Sequence, residues 1–134
     1  MGNQTNFMGW ENPGSALITG ASVGIGEAFA RQLAQQGFDL VLIARRKERL
    51  DAISQELQEK YPVKVEGMVT DLSDINENYK IMNSIKEHLD DLDVLINNAG
   101  FGIWNTFLQI DAKRHMDQIN VHLTSPVLFS HAAI

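Results

Sequence analysis

The sequence predicts an α/β domain: a doubly wound parallel sheet with helices on both faces. Three observations predict it. Apolar runs of strand length alternate with segments of helical period, in the order β-α-β-α-β-α-β-α. The first run passes through Gly20, Gly24 and Gly26 straight into a helical segment. The second, residues 40–44, is apolar without a break, the pattern of a strand buried on both faces.

Taken in order, residues 16–18 form the first strand. Residues 27–36 form a helix with Phe29, Ala30, Leu33 and Ala34 on its inner face. Gly37 stands where a helix ends in a left-handed residue. After the second strand, residues 46–60 carry Leu50, Ile53 and Leu57 on one stripe, and Tyr61-Pro62 stops that helix. Val63, Val65 and Met68 mark a third strand. Lys64 and Glu66 alternate with the valines, which places this strand at a sheet edge. Ser73 is a candidate N-cap for a helix whose inner face is Ile75, Tyr79, Met82, Ile85 and Leu89. Residues 94–96 are a short strand ending at Asn97-Asn98-Ala99-Gly100. A last helix, between residue 111 and the end, turns Met116, Ile119 and Leu123 inward, and Pro126 is expected to bend or break it.

Right-handed crossovers favour the strand order 3-2-1-4. The crevice then opens between the first and fourth strands. The glycine turn and the asparagine segment both reach it from strand C-termini.

Composition narrows the function. With 134 residues, 44% of them hydrophobic and 21% charged, the chain makes one soluble globular domain. Residues 1–14 are read as a flexible arm and 15–134 as the domain. No cysteine is present, so disulfides, thiolate metal sites and a cysteine nucleophile are excluded. The formal net charge of −6 argues against nucleic acid. No apolar run is long enough to span a bilayer, and the first fifteen residues lack the pattern of a secretion signal. The expected setting is the cytoplasm, with no membrane partner. His115 and His122 are seven apart, not the three or four that a helical metal pair needs, so no metal site is expected.

A strand, a glycine turn and a helix in that order make a phosphate site. Free N–H groups at the helix start and the positive end of its dipole attract an anion. An ordinary tight turn is the competing reading. The spacing here, Thr19-Gly20-x-x-x-Gly24-x-Gly26, puts the wider gap first. By residue type alone, Asp71 is equally a helix cap, Asn97 and Asn98 are equally turn formers, and Asn120 is equally a solvated helix residue.

Four separated segments together resemble the short-chain dehydrogenase/reductase family: residues 19–26, Asp71-Leu72, Asn97 to Gly100, and Asn120. More loosely, the chain is similar to reductases acting on ketoacyl chains or steroids. The resemblance implies a Rossmann-like domain that binds a nicotinamide dinucleotide. It implies that Gly20, Ser22, Gly24, Ile25 and Gly26 hold the pyrophosphate. Asp71 would bond the adenine amino group with Leu72 beside it, and Asn98, Ala99 and Gly100 would line the ribose and nicotinamide side. Asn97 would bond backbone within the sheet. Asn120 would be the catalytic asparagine, whose backbone carbonyl holds a water.

The second strand ends at Ala44 and is followed by Arg45-Arg46. A carboxylate at that end would bond a ribose 2′-hydroxyl, whereas a guanidinium grips a 2′-phosphate with paired hydrogen bonds. NADP is therefore expected, with Arg45 as the contact and Arg46 as a possible second. Solvated arginines at a helix start are the alternative, but cations there oppose the dipole. Many NADP-dependent relatives carry a basic residue just before the second glycine, and here that position is Val23.

The family also uses a serine and a Tyr-x-x-x-Lys pair. Neither Tyr61 nor Tyr79 has a lysine four residues on, and Ser125 and Ser130 are read as helix residues. Without that acid, hydride transfer is expected to slow by about 10²–10⁴-fold. The fourth strand reads as buried on both sides yet has no successor to pair with. The chain is accordingly expected to be the N-terminal half of a longer reductase acting on a small carbonyl or alcohol, and a homo-oligomer. A non-catalytic NADP-binding or sensing module, or an interaction half needing a partner chain, are the alternatives. Phe101, Ile103, Trp104 and Phe107 either wall an apolar substrate or simply pack.

Overall fold

The computed structural model describes residues 11–88 and 90–134. Residues 1–10 of the expected arm, and Leu89, lie outside the described residues. Four parallel strands, β1 (Ser15–Thr19), β2 (Asp39–Ala44), β3 (Val65–Val69) and β4 (Leu92–Ile96), lie in the order β3-β2-β1-β4. That is the predicted 3-2-1-4 order. The helices are α1 (Gly24–Gln35), α2 (Lys47–Lys60), α3 (Ile75–His88), α4 (Ala112–Ile119) and α5 (Ser125–Ala133).

The strand pleat sorts the core into two layers. Ala16, Ile18, Leu40, Leu42 and Ala44 face α1 and α2, where Ala30, Leu33, Leu50, Ile53 and Leu57 meet them. Leu17, Val41 and Ile43 face the other way, toward Ile81 and Ile85 of α3 and Phe129 of α5. Both central strands thus need apolar residues at every inner position, which is why residues 40–44 show no alternation.

The end of α1 is a Schellman motif. Gly37, at φ +93°, donates to the Ala34 carbonyl, and Phe38 donates to Leu33. Phe38, fully buried, then closes the apolar contact with Leu33 and starts the chain toward β2.

Helix phase departs from expectation in three places. Phe29 is 38% exposed, so α1 packs through Gly26, Ala30, Leu33 and Ala34. In α3, Ile75 and Tyr79 are exposed and Asn78 and Ile81 turn inward, whereas Ile85 is buried and Met82 packs against the core as expected. Asn78 Nδ2 donates to the Leu72 carbonyl at 3.0 Å, which holds Asn78 inward in the first turns and leaves Ile75 and Tyr79 on the outer side. The cap of α3 is Asp74, which accepts from the Asn76 N–H at 2.8 Å, rather than Ser73. In the last helical stretch Met116, Ile119 and Leu123 are exposed, and Val121, Ser125 and Phe129 are buried instead.

Pro126 does not end that stretch. A π-helical turn, Asn120–Thr124, joins α4 to α5 just before it, and Pro126 sits in the first turn of α5. The extra residue in the turn shifts the phase of everything after it. No helix among the described residues is long and apolar enough to cross a membrane.

Candidate functional site

The site begins where β1 ends. Gly20 turns the chain at φ +65°, Ser22 is buried, and α1 starts at Gly24, three residues earlier than the apolar pattern indicates. Ile25 and Gly26 therefore belong to the first helical turn. No side chain caps that turn, since the cap position is held by Val23 in extended backbone. Its first N–H groups are left for a ligand. The glycines serve different ends. A Cβ at Gly26 would stand 2.1 Å from the Gly20 carbonyl oxygen, so that residue is small to let α1 close on the turn. A Cβ at Gly24 would meet nothing within 4 Å, and the backbone there, at φ +60°, faces open space. That is where a ligand can approach the main chain.

The asparagine segment is locked onto this turn. The buried Thr19 hydroxyl accepts from the N–H of Asn98 at 3.0 Å and of Ala99 at 2.9 Å. The Asn98 amide returns the link, donating to the carbonyls of Thr19 at 3.2 Å and Gly20 at 3.3 Å. Asn97, expected to bond backbone, instead donates to the Ser130 hydroxyl of α5 at 3.3 Å. Asn98 lines the cleft as expected and also makes the backbone bonds expected of Asn97, because adjacent side chains leave an extended segment on opposite faces. Asn98 faces the turn and Asn97 faces α5.

Between these segments lies an open cleft of about 370 Å³. Of the candidate residues, Gly20, Ser22, Arg45, Asp71, Leu72, Asn98, Ala99 and Gly100 line it. Gly26 is buried behind it, Gly24 and Ile25 are exposed beside it, and Asn120 is not on its wall, although Val121 is. Arg45 and Arg46 open α2 and are exposed. Neither guanidinium makes a hydrogen bond or ion pair with a described residue. Lys113, Arg114 and Asp117 of α4 also line the cleft, three residues that no motif in the sequence marks. Four cations and two carboxylates thus surround the opening of a chain whose formal charge is −6. Such a local reversal of sign suits a polyanion.

Burial pushes the Asp71 carboxyl upward. Hydrogen bonds from the Ser73 hydroxyl at 2.8 Å and the Ser73 N–H at 3.0 Å, helped by Arg45 and Lys113, outweigh it and hold the group below the usual aspartate value. Both bonds use Oδ1. Oδ2 has no hydrogen-bond partner among the described residues and is free to accept.

Asn120 starts the π turn. Its amide donates to the Ser73 carbonyl at 2.9 Å, tying the turn to the Asp71 loop. Its own carbonyl accepts from the Ser125 N–H and, at 2.9 Å, the Ser125 hydroxyl. Ser125 and Ser130 both lie in α5, as expected. Phe101 joins the cleft wall and Ile103 is half-buried, but Trp104 and Phe107 are 93% and 73% exposed, so core packing does not account for them.

This arrangement matches one family. The family model described as short chain dehydrogenase matches residues 15–134. Human "Inactive hydroxysteroid dehydrogenase-like protein 1" is 33% identical over 123 residues, covering 89% of this chain and 36% of that protein. The very-long-chain 3-oxoacyl-CoA reductase of Scheffersomyces stipitis is 38% identical over 113 residues, covering 82% of this chain and 32% of that one. A solved short-chain dehydrogenase from Sphingobium yanoikuyae, in complex with NADPH, superposes with a TM-score of 0.85 at 35% identity. It covers 91% of this chain and 47% of its own length is matched. The chain belongs to the short-chain dehydrogenase family. It spans about a third of the length of these curated relatives.

Proposed function

We propose that this chain is the cofactor-binding part of an NADP(H)-dependent oxidoreductase acting on a carbonyl or alcohol. The observation that carries the reading is the pair of guanidiniums, Arg45 and Arg46, unpartnered among the described residues, at the rim of a cleft that opens beside the uncapped start of α1. Bound nicotinamide would supply the hydride. The first turn of α1 and Gly24 would hold the pyrophosphate, and Arg45 the 2′-phosphate. Asp71 Oδ2 would accept from the adenine amino group, while Ala99 and Gly100 would flank the nicotinamide side. Asn120 would serve the proton relay through its backbone carbonyl once the Ser125 hydroxyl, which also reaches the Val121 carbonyl at 3.0 Å, turned to that second acceptor and freed a lone pair. The solved relative bound to NADPH supports this choice of cofactor.

The tyrosine that the family uses as proton donor has no counterpart on the cleft wall. Tyr61 follows α2 and Tyr79 sits on the exposed face of α3, and neither lines the cleft. A second reading, a dinucleotide-binding module without chemistry, draws support from the human relative, whose name calls it inactive. Both readings share the binding step. Met116, Ile119, Leu123 and Val127 form an exposed apolar stripe that suits a homo-oligomer, which sedimentation analysis tests.

Calorimetric titration of the purified chain with NADPH and NADH tests the cofactor assignment. NADPH should bind more tightly. Arg45→Ala should weaken NADPH by about 10–100-fold, the worth of a charge-assisted bond, and leave NADH unchanged. Equal or tighter NADH binding by the native chain refutes the assignment.

A further inference from the structure

We propose that Arg114, Gln118 and His122 form a clamp on Phe101 that positions the nicotinamide-side wall of the cleft. Arg114, Gln118 and His122 recur at every fourth residue, so they share one face of α4 running into the π turn. Each takes hold of a different part of Phe101. The Arg114 guanidinium lies 4.1 Å from the ring centroid. Gln118 Nε2 donates to the Phe101 carbonyl at 3.3 Å. The Phe101 N–H donates to His122 Nε2 at 2.9 Å.

His122 Nε2 also lies 3.0 Å from the Phe101 carbonyl oxygen. One nitrogen cannot both accept from the N–H and donate to the carbonyl in the same tautomer. The carbonyl already has Gln118 as a donor, whereas the N–H has no other acceptor among the described residues. The tautomer that satisfies both backbone groups of Phe101 carries its proton on Nδ1 and leaves Nε2 bare.

Packing completes the clamp. The imidazole meets the Phe101 ring edge-on, with centroids 5.8 Å apart. It also presses on Gly100, where a Cβ would stand 2.7 Å from its Cε1. Gly100 is thus small for the imidazole as well as for the cleft. Residues 100–105 lie outside any regular element and make no backbone–backbone hydrogen bond with described residues. The side chains of α4 and the π turn therefore fix this wall. Gly100, Phe101 and Arg114 all line the cleft, so a shift in the clamp moves the wall itself.

The inference rests on the proposed NADP reading, and its test separates the two. His122→Phe keeps an aromatic ring against Gly100 but removes the acceptor, and His122→Gln restores an acceptor oxygen. NADPH and its adenine half, 2′,5′-ADP, are titrated into each. His122→Phe should weaken NADPH by about fivefold, the worth of one neutral hydrogen bond, and leave 2′,5′-ADP unchanged, with His122→Gln recovering most of the loss. Equal losses for both ligands, or no loss for either, overturn the clamp. Should the native chain bind neither ligand, the cofactor reading fails, and exchange of the Phe101 amide proton decides the clamp alone. His122→Phe and Gln118→Leu should each speed that exchange severalfold while Thr19 keeps its protection. Unchanged exchange in both overturns the clamp.

Discussion

Replacing Gly26 with alanine tests the close fit between α1 and the glycine turn. The new Cβ would stand 2.1 Å from the Gly20 carbonyl oxygen, 2.8 Å from the Gly20 carbonyl carbon and 2.6 Å from Asn98 Nδ2. Backbone is the obstacle, so no rotamer change relieves it. To reach ordinary contact the Gly20 carbonyl must retreat by roughly 1 Å, in the range where overpacking costs about 1–3 kcal/mol. That carbonyl also accepts from Asn98, and losing the bond adds about 1 kcal/mol. Alanine returns about 0.5–1 kcal/mol through its better helix propensity. The net expectation is a loss of about 2 kcal/mol, read as a lower urea midpoint at unchanged slope. NADPH affinity should fall by at least about tenfold, because the first turn of α1 moves with the carbonyl. Gly24→Ala is the control. It meets no atom within 4 Å and bears only the left-handed backbone cost of about 1–2 kcal/mol. Native stability and affinity in Gly26→Ala would refute the close-packed cradle.

Thr19→Val keeps the shape of a buried side chain but strips the acceptor from the N–H groups of Asn98 and Ala99. About 2 kcal/mol of stability should be lost in urea unfolding, with dinucleotide binding weakened alongside it. Asp71 titrates below its ordinary value in the folded chain, so its contribution to stability is complete above the usual aspartate range and is lost as the pH falls through the lowered value. Ser73→Ala removes the hydroxyl that helps to lower it. Native and variant chains should therefore differ in stability at pH 7 and converge in acid, as urea midpoints taken across pH will show.

The order of strands and helices was legible because it rests on apolar runs and their period. The glycine turn and the asparagine segment were legible because backbone approach restricts which residues fit. Helix rotation was less legible, because polar anchors and the π turn override apolar phase. Asn78 in α3 turns toward the Leu72 carbonyl and carries Tyr79 out to solvent. Across α4 and the π turn, Gln118 and His122 turn toward Phe101, and the apolar Met116, Ile119 and Leu123 are left outside. A hydrophobic pattern gives such anchors no weight. Arg114 and Lys113 were missed because their place at the cleft depends on how α4 folds back over it, which no local signal encodes.

The polar groups near the cleft divide into two sets, and the division bears on binding. Thr19, Asn98, Asn120 and the Ser73 face of Asp71 are engaged with the chain's own atoms. They join the glycine turn, the asparagine segment, the Asp71 loop and the π turn into one framework before any ligand arrives. Binding then need not order these loops, a cost that otherwise subtracts from affinity. The uncapped first turn of α1, the two guanidiniums of Arg45 and Arg46, and Asp71 Oδ2 are left without a hydrogen-bond partner among the described residues. Two of these features are unfavourable in the free chain. Cations at the start of α2 oppose its dipole, and helix-start amides with no cap lose a stabilising contact. A dinucleotide phosphate group answers each of them, and an adenine amino group answers Asp71 Oδ2. The unsatisfied groups therefore form a complementary image of the proposed ligand, held in place by the satisfied ones.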